Sequence, residues 1–69
     1  MSEIDVVING DVRRVPGGLD LPALLAFLGL APETVVVEHN RTIVRCNALA
    51  GVPVSSGDQI EIVHFVGGG

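Results

Sequence analysis

Sixty-nine residues leave room for one domain, and at that size folding buries only about 60% of the surface an unfolded chain exposes, which argues against a deep catalytic cleft. The chain is 48% hydrophobic but has no Trp or Tyr and only two Phe, so its core must be aliphatic. A formal net charge of −4 argues against nucleic acid or an anionic membrane as partner and favours an electropositive protein surface.

From Ile4 to Ile8 the apolar residues partly alternate, the pattern of a strand with one strongly buried face. Asn9-Gly10 supplies the dipeptide best suited to a two-residue type I′ turn, because both positions tolerate positive φ, and a hairpin to Val12–Val15 is expected. Pro16-Gly17-Gly18 breaks that second strand. Asp20 is then a good helix N-cap. Leu21, Leu24, Leu25 and Leu28 follow at i, i+3, i+4 and i+7, one face of a short helix that tolerates Pro22 in its first turn. Gly29 reads as the stop, with Leu30 folding back on the last turn.

The second half returns to strands: Val35–His39 and Thr42–Arg45 flank a tight Asn40-Arg41 turn. Residues 46–56 form a connection with a short helical turn expected at Asn47-Ala48-Leu49, and Gly57-Asp58 leads into a last strand, Gln59–Val66. One amphipathic helix must bury its stripe on one face of a mixed sheet. If Ile60 and Ile62 face the helix, alternation places Glu61, Val63 and Phe65 on the other side, an exposed apolar pair rimmed by acid that suits partner docking, with Val36 joining from the neighbouring region.

The strand runs straight into Gly67-Gly68-Gly69. A loose terminus or a purification scar can look the same, but here the glycines follow a Val/Ile/Phe strand with no protease-site residues between. Without Cβ atoms such a tail threads a channel too narrow for side chains, and its reach is roughly 10 Å. The chemistry is expected at the carboxylate of Gly69, with Gly67 and Gly68 giving access. The chain therefore reads as a β-sheet domain over residues 1–66 and a flexible tail over 67–69.

Other reactive types carry less. His39 and His64 lack the further ligands a zinc site needs, and neither is expected to bind metal. Cys46, expected to be half-buried in a turn, has no neighbouring His and no second Cys, which suits a reducing, cytoplasmic location. Arg13 and Arg14 read as solvated hairpin residues. Met1-Ser2-Glu3 lacks the basic start of a signal peptide, and Leu21–Pro32 is too short to span a bilayer.

The element order, with Val6-Val7-Ile8-Asn9-Gly10-Asp11, the Leu21-to-Leu25 helix, Val35-Val36-Val37-Glu38 and above all the run from Gly57 to Gly69, resembles the ThiS family of sulfur carriers, which share the β-grasp fold of ubiquitin. The resemblance implies an α+β domain, a mixed sheet of four to five strands packed on one helix. It also implies a carrier for thiazole formation in thiamine biosynthesis, a protein cosubstrate and not an enzyme. A ThiF-like enzyme would adenylate Gly69 using ATP, sulfur would replace AMP to give a thiocarboxylate, and a ThiG-like thiazole synthase would receive that sulfur. No cofactor is implied for the chain itself, which is expected to be monomeric alone. Where many members have Pro-Arg followed shortly by Trp, this chain reads Arg45-Cys46-Asn47-Ala48-Leu49. All four of its basic residues are Arg, so self-linked chains through lysine, as in ubiquitin, are excluded. Two other readings stay open: a MoaD-like carrier serving molybdopterin or another sulfur-transfer pathway, and a non-covalent β-grasp adaptor whose tail is chemically silent.

Overall fold

A computed structural model describes residues 2–65; Met1 and residues 66–69 lie outside the described residues. Strands β1 (Glu3–Ile8) and β2 (Asp11–Pro16) form the first hairpin, with Ile8 opposite Asp11. Only Asn9 and Gly10 lie between, at φ 50° and 86°, so both turn residues take the left-handed conformation that a type I′ turn demands. Pro16 closes β2 and does not precede its end; as the last strand residue, it costs no interior ladder bond.

Helix α1 (Leu21–Phe27) starts where Asp20 Oδ1 accepts a hydrogen bond from the Ala23 N–H at 3.0 Å. Leu21, Leu24 and Leu25 are fully buried, the stripe expected from their spacing. Burying each contributes about 1.5–3 kcal/mol. Leu28 is the C-cap and not a helical residue. Gly29, at φ 79°, donates its N–H to the Ala26 carbonyl at 3.0 Å, and Leu30 reaches back to the Leu25 carbonyl at 2.8 Å, the paired bonds of a Schellman stop.

A 3-10 turn at Pro32–Thr34, not anticipated from the sequence, leads into β3 (Val35–His39), which pairs antiparallel with β4 (Thr42–Val44) across Asn40 and Arg41. Strand β4 ends one residue earlier than expected: Arg45 instead opens a second 3-10 turn, Cys46–Ala48, by accepting from the Ala48 N–H at 2.8 Å. That turn comes one residue before the expected position. Strand β5 (Gln59–His64) ends before Val66, which lies outside the described residues.

The five-stranded sheet has the order β2-β1-β5-β3-β4, with β5 parallel to β1 and antiparallel to β3. The helix covers one face, where Val6, Ile8, Val15, Val37, Ile60 and Ile62 close over its leucines. Leu49 and Val54 are buried with them. This is the ubiquitin-like β-grasp arrangement, with the last strand at the centre. Among the described residues no helix is long and apolar enough to cross a membrane.

Candidate functional site

Strand alternation separates the two faces of β5. Ile60 and Ile62 are buried toward the helix, whereas Val63 is 61% exposed on the opposite face and Phe65, just past the strand, is 62% exposed. The β3–β5 register sets Val36 directly opposite Val63 and Glu38 opposite Glu61, so these four share the open face. Across β3, Ile43 of β4 stands opposite Glu38 and is 63% exposed. The result is an apolar stripe of Val36, Ile43, Val63 and Phe65 beside a facing pair of carboxylates.

Two concavities open on this surface. One, of about 290 Å³, is lined by Pro32, Val36, Ile43, Cys46 and Phe65 at the end from which the chain leaves β5. The other, of about 520 Å³, lies at mid-face between Val7, Gln59, Glu38, Glu61 and Arg41. Among the described residues the ion pairs are Arg14–Asp5 and His39–Asp58, so Glu38 and Glu61 have no cation within salt-bridge distance. Like charges directly opposite on a sheet repel. A cation placed between them would relieve that repulsion.

The strand carrying these groups is fixed at its start and again at Ile62. At its start, the Val7 N–H donates to the Asp58 carbonyl and the Asn9 N–H to the Ile60 carbonyl, both at 2.9 Å. The Asn9 side chain then takes over from β1: its Nδ2 donates to the Ile62 carbonyl at 3.1 Å and its Oδ1 accepts from the Ile62 N–H at 2.8 Å. Asp58 anchors the turn before β5. Its carboxylate accepts from the Ser55 N–H at 2.8 Å, from Asn40 Nδ2 at 3.2 Å, and lies 2.7 Å from His39 Nε2. Because an ionised carboxylate only accepts, Nε2 carries the proton in this contact. Burial pushes the Asp58 carboxyl upward, but the Ser55, His39 and Asn40 hydrogen bonds outweigh it, and its pKa falls below the ordinary carboxylate value.

The remaining candidates are placed as follows. Gly67, Gly68 and Gly69 lie outside the described residues. Cys46 is exposed, not half-buried, because its 3-10 turn sits at the rim of the groove beside Phe65. Arg14 is not merely solvated: its Nε donates to Asp5 Oδ1 at 3.0 Å, and that hydrogen bond, then the guanidinium charge, lowers the Asp5 pKa. Glu38 and Ile43 were missed as members of the face, although the Asn40-Arg41 turn fixes the register that puts them there. The Asn9–Ile62 bonds and the His39–Asp58 contact have no local signal.

The ThiS family model matches residues 6–69. The chain belongs to the ThiS family. It is 46% identical over 63 residues to the sulfur carrier protein ThiS of Bacillus subtilis, covering 90% of this chain and 96% of that protein. It is also 44% identical over 62 residues to a thiazole synthase of Magnetococcus marinus, and there the match covers 90% of this chain but 19% of the relative. A thiazole synthase of Paramagnetospirillum magneticum behaves alike, at 44% over 64 residues, so the chain spans about a fifth of the length of these two relatives. The crystal structure of the thiamine biosynthesis protein ThiS from Geobacter metallireducens superimposes with a TM-score of 0.81 at 33% identity, covering 96% of this chain and 100% of that one.

Proposed function

We propose that this chain is a sulfur carrier for thiazole formation in thiamine biosynthesis, with sulfur carried on the C-terminal carboxyl of Gly69. The observation that carries this reading is the match along nearly the whole length of a protein called a sulfur carrier, the ThiS of Bacillus subtilis. The two thiazole synthases that contain a region similar to this chain support the destination of the sulfur.

The chemistry follows from the carboxyl group. With an ordinary pKa of about 3.3–3.7 it is an anion at neutral pH and a poor acceptor for nucleophiles. Attack of one carboxylate oxygen on the α-phosphorus of ATP, within a ThiF-like enzyme, releases pyrophosphate and leaves an acyl adenylate. Hydrosulfide then attacks the acyl carbon, AMP leaves, a proton is lost, and the chain departs as a thiocarboxylate that a ThiG-like synthase consumes. ATP and the catalytic groups belong to the partners. This chain supplies the acyl group, a tail free of side chains, and the open face of Val36, Glu61, Val63 and Phe65 for docking.

The test is ATP–pyrophosphate exchange with a purified ThiF-like enzyme. Wild type should support exchange, and after addition of a sulfur source its mass should show one oxygen replaced by sulfur. Deleting Gly69, or replacing Gly68 by Val, should abolish exchange while leaving thermal unfolding almost unchanged, since a terminal segment contributes little to stability. Exchange at wild-type rate by either variant would defeat the carrier reading.

A further inference from the structure

Strand β5 is held unequally on its two flanks. Toward β3 the ladder continues to the Phe65 N–H, which donates to the Thr34 carbonyl at 3.0 Å. Toward β1 the pairing is short: Val7 aligns with Gln59 and Ile8 with Ile60, after which β1 turns away at Asn9-Gly10. The Asn9 side chain adds one more rung, at Ile62. Backbone groups of a strand alternate between its two neighbours, and here Ile60 and Ile62 point theirs toward β1. His64 is the next residue in that series. Its N–H and C=O face the flank that β1 has left, and no described residue hydrogen-bonds to them. At the turn where β1 leaves, a Cβ added at Gly10 would meet nothing within 4 Å.

These two groups border the open face. Val63 and Phe65, the residues either side of His64, are two of its exposed apolar members. A partner that covers both side chains removes water from the His64 backbone as well, and a buried backbone donor and acceptor must then find new partners. The partner's own backbone, at strand spacing, offers both at once without demanding any particular side chain.

We propose that an extended segment of a thiazole synthase, the partner suggested by the two synthases that contain a region similar to this chain, adds to the vacated flank of β5, pairing backbone to backbone with His64. The proposal rests on the carrier reading and adds how the carrier is gripped: the partner occupies the lane of β1 where β1 stops. The side chain at position 64 is then secondary to its amide.

The experiment separates backbone from side chain, using a ThiG-like thiazole synthase from the same source as the binding partner. His64→Pro removes the N–H from the free flank, where the domain does not use it, and the extended Val63 before it is compatible with a following proline. It should fold like wild type and bind the synthase at least about tenfold more weakly, whereas His64→Ala, which keeps the N–H, should lose less than about threefold. In the wild-type complex, exchange of the His64 amide proton should slow at least about tenfold relative to the free domain. This second measurement stands even if the proline variant folds poorly. Wild-type affinity in a folded His64→Pro domain, or unchanged His64 exchange in the complex, overturns the pairing and leaves the carrier reading intact. Failure of wild type to bind the synthase at all overturns both.

Discussion

Asn9 joins a backbone conformation to a hydrogen-bond pattern that few side chains offer together. Its φ of 50° is tolerable for Asn, and its amide both donates to and accepts from Ile62. Asn9→Ala should cost about 1–3 kcal/mol, because it strands half-buried groups of Ile62. Asn9→Gly loses the same bonds but relieves the left-handed backbone, so it should be more stable than the alanine variant by about 1 kcal/mol. Urea titrations of the two variants check the order, and equal midpoints would mean the turn relaxes to another shape. Asp58 sets the acid limit. Its pKa is depressed in the folded chain, so its contribution is present above the unfolded value of about 3.9 and is lost as pH falls through the folded value. Wild type should therefore lose stability across that acid window, while Asp58→Asn starts less stable at neutral pH and shows a flatter decline. Parallel curves for the two proteins would remove Asp58 from the acid response.

At the scale of elements, the helix is held by its leucines and its stop. Leu25→Ala should cost about 2–5 kcal/mol, a large share of a total of about 5–15 in so small a domain. Gly29→Ala meets no neighbour within 4 Å, so its cost should be the backbone penalty alone, about 1–2 kcal/mol. On β5, Phe65→Glu should leave circular dichroism native-like, since the side chain is exposed, and weaken the complex with the adenylating enzyme at least tenfold, about 1.4 kcal/mol. Undiminished affinity would remove Phe65 from that interface, and loss of the fold would return it to the core. The same elements show what the sequence makes readable. Leucine spacing, Asp20, Gly29 and Asn9-Gly10 are local signals, each acting within a few residues, and they locate the helix and both ends of its neighbours. The 3-10 turn at Pro32–Thr34 has no apolar period to betray it. The contact of Asn9 with Ile62, across 53 residues, and that of His39 with Asp58, across 19, depend on which strands become neighbours. Glu61, Val63 and Phe65 could be assigned a face from alternation alone. Ile43 and Glu38 needed the register of β3 with both of its neighbours.

For the molecule as a whole, the net charge of −4 and the facing Glu38 and Glu61 predict association with a cationic surface. The association rate with the adenylating enzyme should fall steeply with added salt while dissociation changes little, because screening acts on the encounter. A salt-independent rate would show that apolar contact alone brings the two together. The position of β5 has a further consequence, one of timing. A ribosome that has made everything up to Asp58 has produced two hairpins and a helix, but nothing yet to lie between β1 and β3. The central strand is made after both of its neighbours, and contacts so distant along the chain slow the step that inserts it. Until it closes, the open face is divided and Asn9 has no strand to hold. On the carrier reading, a partner that needs β5 in place would bind the finished domain alone, and an incompletely folded copy, whose tail has the same sequence, would be passed over.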